Sequence, residues 1–145
     1  MQLPWYMTAL GAAMIWGLHY PLVDSALKRL SPIGVLMLTA IPILLVSALF
    51  YRHLAADYQA IKGMDWGSRL LVIALSVTSI VGSLLLYMSI GSRNATLASV
   101  IEISYPLFVV LFSYLLFRQA HLNASVLAGG ALVFAGVTLI ILNNA

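Results

Sequence analysis

The chain contains no cysteine, so disulfides, thiolate nucleophiles and cysteine-ligated metals are excluded and the redox compartment stays undetermined. Charge is scarce as well: charged residues make up 8% of the 145 positions, against about 25% in an ordinary soluble domain. Seven Lys and Arg against four Asp and Glu leave a net charge of +3, and so few cations cannot build a nucleic-acid surface. The pI of 9.5 follows from the shortage of acids. The H-E-x-x-H, G-x-S-x-G and P-loop signatures are all missing, and a metal cluster would have to draw on three scattered histidines. No enzyme activity, cofactor or metal is expected. A potassium-type filter sequence is missing too, although channels need not use one.

Apolar residues are what the chain has in quantity, at 63% with a mean hydropathy of +1.05. Five helices of about 20 residues need roughly 100 apolar positions to cross a bilayer core about 30 Å thick, and the chain can supply them with short connections. The expected fold is all-α and integral to the membrane, a bundle of five transmembrane helices over about residues 3–27, 32–51, 69–90, 95–117 and 124–142 in a single domain. Trp5 and Tyr6 sit where an interfacial aromatic belt would lie. No Lys or Arg precedes the first apolar run, and the run is too long for a signal-peptide core, so it is expected to remain in the mature protein. Ser31 followed by Pro32 reads as a hydroxyl N-cap with a first-turn proline. Residues 52–68, the longest polar stretch, read as a solvated connection with Trp66 anchoring its end.

Five spans place the termini on opposite sides. Arg52, Lys62, Arg69 and Arg118 then fall on the N-terminal side and Lys28, Arg29 and Arg93 on the other. Four against three gives no orientation by the excess of cations in cytoplasmic loops. Such a tie suits a protein that inserts both ways and pairs antiparallel with itself, each copy being half of an inverted-repeat transporter. It is equally what seven charges give by being few.

Glu102 is the only acid deep in an apolar helix. Burying its charge costs at least about 2.5–3.5 kcal/mol, which makes it a functional candidate that faces protein or water. Ser99, Glu102, Tyr105 and Pro106 share one face of the fourth span by their three- and four-residue spacing, and Pro106 leaves a carbonyl one turn earlier without its usual donor. The third span carries Ser76, Ser79, Ser83 and Tyr87 at steps of three, four and four, a stripe that lines a cavity or packs closely and bonds its own backbone. In the first span Trp16, His19, Tyr20 and Val23 share a face, and the three rings suit a cation or an aromatic solute; a lone membrane histidine such as His19 is more often a hydrogen-bonded packing residue. Counted from the shared end, His19, Ser83 and Glu102 lie seven or eight residues deep, about 10–12 Å at 1.5 Å per residue. Asp24 lies nearer the headgroups, an interfacial or Lys28-paired acid. Ser125-x-x-x-Gly129 and Ala131-x-x-x-Ala135, with Gly136, mark the last span as a packing or dimer helix.

Trp16-Gly17, Ser31-Pro32, Pro106 and Gly129-Gly130-Ala131 through Gly136, in this order and spacing, resemble the EamA-type domain of the drug/metabolite transporter superfamily. Residues 97–142 are similar to that family's last two helices. Most relatives carry two such domains, so the resemblance implies a chain that dimerises to make a full transporter. Thr39 stands where many relatives have an arginine, and Gln119 where many have a glutamate.

The resulting expectation is a multi-pass secondary transporter of the cell membrane. As an antiparallel homodimer it moves a small organic metabolite or drug-like solute by alternating access, with Glu102 holding a proton or a cationic substrate in turn. His19, Tyr20, Trp16, Ser83, Tyr87, Ser99 and Tyr105 are the further candidates for solute contact. Its partners are the lipid bilayer, a small-molecule substrate and a second copy, with no nucleic acid. The competing classes are a non-transporting subunit that assembles with another membrane protein, and a flippase for a lipid-linked headgroup.

Overall fold

A computed structural model describes residues 4–119 and 123–144, which are helical apart from short connections. In order, the described helices are α1 (Trp5–Leu27), α2 (Pro32–Leu49), α3 (Tyr51–Gly63), α4 (Trp66–Ser92), α5 (Ala95–Glu102), α6 (Tyr105–Phe117) and α7 (Ala124–Asn144). Among the described residues, four segments are long and apolar enough to cross a membrane: α2, α4, α5–α6 taken together, and α7. With 23 residues, α1 has the length. It falls outside that set because Trp16, His19, Tyr20, Pro21 and Asp24 interrupt its apolar character. The expected start at Leu3 lies outside the described residues.

Helix starts are set by side chains that satisfy the orphan N–H groups of the first turn. Ser31 Oγ accepts from the Gly34 N–H at 3.1 Å, with Pro32 opening α2. The Asn94 side-chain oxygen accepts from the Leu97 N–H at 2.8 Å at the start of α5. At α7, Asn123 Oδ1 accepts from the Val126 N–H at 2.9 Å and from the Ser125 hydroxyl at 2.7 Å. Asp65 precedes α4 and accepts from both the Ser68 hydroxyl and the Ser68 N–H, and these bonds hold its carboxyl below the ordinary carboxylate range. That helix start therefore keeps its support above the carboxylate range and loses it as pH falls through Asp65's lowered titration.

Two expected segments differ in their local structure. Residues 52–68 do connect α2 to α4, and α3 within them is exposed throughout, but they are largely helical: α2 stops at Leu49, Phe50 alone links it to α3, and Trp66 already belongs to α4. Tyr51, Leu54, Tyr58 and Ile61, at steps of three, four and three, form an apolar stripe that holds the intervening polar residues in a helix. The span at 95–117 is a single candidate crossing, but its α-helical hydrogen bonding is interrupted at Ile103–Ser104. Both residues keep right-handed helical dihedrals, and the Ser104 N–H donates to the Ile101 carbonyl in a tightened, 3₁₀-like turn. Pro106 is the cause, since it has no N–H for the Glu102 carbonyl four residues earlier and its ring crowds that carbonyl.

The chain divides into two compact units, Leu22–Ser92 and a second made of Met1–Pro21 with Arg93–Ala145. In the first, α2 packs on α4; Val35, Tyr87 and Ile90 are buried, and Gly91 meets the Leu27 side chain. In the second, α5 packs on α7, and Ala95, Ala98 and Val137 are buried. Alanines three apart present little bulk, which lets two helices approach closely. Most other large apolar side chains are exposed on the chain's surface, as suits helices whose solvent is lipid.

Candidate functional site

The polar centre of the second unit is built by α1 and the end of α5. Residues 16, 19 and 20 fall on one α1 face by their three- and four-residue spacing. The Trp16 and His19 rings stand perpendicular at 5.2 Å between centroids, and Trp16 and Tyr20 lie 5.7 Å apart at 59°. His19 and Tyr20 complete the wall at 6.4 Å. From this wall the Tyr20 hydroxyl donates to Glu102 Oε2 at 2.5 Å, across 82 residues of sequence. His19, Tyr20 and Glu102 are half-buried, whereas Trp16 keeps 52% of its surface exposed.

Position on the helix sharpens the electrostatics. Glu102 is the last residue of α5, at the negative end of that helix's dipole. Carboxylate and helix terminus together favour a cation. Pro106 also leaves the Glu102 backbone carbonyl without its usual helical donor, which adds a neutral acceptor at the break. Aromatic faces attract cations as well, so a site of three rings, a carboxylate and a helix C-terminus suits an organic cation or a proton. Among the described residues no group of three His, Cys, Asp or Glu side chains is placed to hold a metal ion.

The other expected residues are placed as follows. Ser99 lies on α5 with Glu102, but its hydroxyl donates to the Thr96 carbonyl at 3.0 Å, and Tyr105, across the break, is 59% exposed. Ser83 and Tyr87 belong to the Leu22–Ser92 unit, half-buried and buried respectively. Ser76 is exposed and bonds the Val72 carbonyl at 3.3 Å, so that end of the serine stripe follows the backbone-bonding alternative. Thr39 likewise turns its hydroxyl onto the Leu36 carbonyl.

On α7, Ser125 is engaged with the Asn123 cap, while Gly129 and Gly136 are exposed with nothing within 4 Å of an added Cβ. Their neighbour Gly130 differs, for its Cβ would come within 2.8 Å of Leu107 Cδ2 on α6. Between α6 and α7 lies an apolar cavity of about 330 Å³, lined among others by Pro106, Leu107, Val110, Val126 and Gly130. Sequence reasoning singled out Pro106 and Gly130 but missed the cavity, because Leu107, Val110 and Val126 look like any other apolar residues of a span.

The profile of the EamA-like transporter family matches residues 3–142. No curated protein and no solved structure matches the chain.

Proposed function

Because this chain belongs to the EamA-like transporter family, we propose that it carries a small organic cation across the membrane in exchange for protons, with Glu102 as the group that holds each in turn. The observation that carries this reading is the hydrogen bond from Tyr20 to Glu102 beside the Trp16 and His19 rings. The broken α5–α6 span supports it, since transporters place discontinuous helices at their binding sites and irregular backbone is tolerated at membrane depth only where protein or water covers it. In this reading α1 completes a five-helix half, and a second copy in the inverted orientation supplies the other half. Ser83, Tyr87, Ser99 and Tyr105 serve as further solute contacts. Ser125, Gly129 and Gly136 on α7 serve the pairing of copies, the two glycines being open to close approach.

The test is flux through the chain purified alone and reconstituted in liposomes with an imposed pH gradient, probed with the aromatic cation tetraphenylphosphonium and a panel of smaller organic cations. Proton-driven accumulation that collapses with a protonophore is the expected result. Absence of flux for every cation would favour a non-transporting subunit. Tyr20→Phe keeps the ring and removes the donor that fixes the Glu102 carboxyl. Its apparent affinity for the cation is expected to fall with accumulation retained, and uptake at wild-type affinity would remove Tyr20 from the site.

A further inference from the structure

The α3 helix belongs to neither the proposed transport site nor the spans, and its placement is constrained. Phe50 alone joins it to α2 and only Met64 and Asp65 join it to α4, and both neighbours are long and apolar enough to cross a membrane. One residue extends at most about 3.6 Å, so each end of this helix, about 20 Å long, is held at the membrane boundary. A helix pinned at both ends in this way lies along the surface.

Its chemistry matches that position. Tyr51, Leu54, Tyr58 and Ile61 form one stripe, and every one of them is exposed, none of α3 being buried. Cations edge this stripe. The Lys62 ammonium stands 4.7 Å from the Tyr58 ring centroid. The Arg52 guanidinium stands 6.0 Å from that of Tyr51, and its Nε donates to the Tyr51 hydroxyl at 3.3 Å. Arg69 reaches back from α4 and donates from Nη2 to the Lys62 carbonyl at 2.6 Å, which brings a third cation to the end of α3. Against these stand Asp57 on the helix and Asp65 beside it, whose bonds from Ser68 keep it ionised, so the three cations outnumber the acids by one. An apolar stripe edged by excess positive charge fits the interface of a bilayer containing anionic lipid.

We propose that α3 is an in-plane anchor for anionic phospholipid, with Leu54, Tyr58 and Ile61 in the acyl boundary and Arg52, Lys62 and Arg69 on headgroup phosphates. The chain's lack of cysteine allows a direct test on the full-length protein. Single nitroxide labels are placed through Leu54→Cys, Ile61→Cys and, on the opposite face of the helix, Ala56→Cys in vesicles of phosphatidylcholine, with or without phosphatidylglycerol. Labels at 54 and 61 are expected to collide more with oxygen than with a water-soluble nickel chelate, and the label at 56 the reverse. Binding of spin-labelled phosphatidylglycerol is expected to weaken about fivefold for each of Arg52→Gln, Lys62→Gln and Arg69→Gln. Glycerol 3-phosphate in solution should leave both readouts unchanged.

Equal nickel exposure at all three labels would overturn the in-plane placement. Equal retention of phosphatidylglycerol and phosphatidylcholine, or displacement by glycerol 3-phosphate, would overturn the anionic lipid as the ligand.

Discussion

Glu102→Gln is expected to abolish proton-driven accumulation of an organic cation while leaving the protein inserted and folded. Glutamine matches glutamate in size, and its amide oxygen can still accept the Tyr20 hydroxyl, so the contact between α1 and α5 survives. The negative charge does not. Removing one partner of a desolvated charge pair costs about 2 kcal/mol or more, which corresponds to at least about a 30-fold loss of affinity for a cationic solute. A side chain that cannot ionise also cannot alternate between proton and solute, so what binding remains should lose its pH dependence. Uptake across an imposed pH gradient and binding at several pH values check this. Transport with an unaltered pH dependence would make Glu102 a structural hydrogen-bond partner.

Pro106→Ala should move stability and transport in opposite directions. Alanine restores an N–H opposite the Glu102 carbonyl and removes the ring that crowds it, allowing α5 and α6 to join through residues 103 and 104. A proline in a helix interior costs about 3 kcal/mol. The break already accommodates much of that strain, so the gain lies below this ceiling, read as a higher midpoint of thermal unfolding by circular dichroism in detergent. Transport should fall, because joining the helices gives the Glu102 carbonyl a helical partner and removes the α5 C-terminus that favours a cation beside the carboxylate. Raised stability with undiminished transport would show that the break serves the fold alone.

The features that could be read in advance were those with local causes. Ser31 and Pro32 mark the start of α2 because a hydroxyl cap and a first-turn proline act within four residues. The face of Trp16, His19 and Tyr20 follows from helical spacing, but their meeting with Glu102 spans 82 residues and rested on depth counted from helix ends. The α3 helix was missed for a physical reason: its four apolar residues are diluted by Arg52, His53, Asp57, Gln59 and Lys62, so composition suggests a loop while the 3-4-3 spacing makes a helix. Pro106 signalled a perturbation near Glu102, yet continuous hydropathy on both sides concealed the tightened turn at Ile103–Ser104. The cavity between α6 and α7 depends on how two uniformly apolar helices pack, which composition does not encode.

In the proposed function, two copies of this domain in opposite orientations make one transporter. The test fuses, after Ala145, one reporter active only in the cytoplasm and, in a separate fusion, one active only outside. Activity of both reporters at comparable protein levels is predicted, because four cations against three leave insertion unbiased. Activity of one reporter alone would fix a single orientation and contradict the inverted pairing of identical chains.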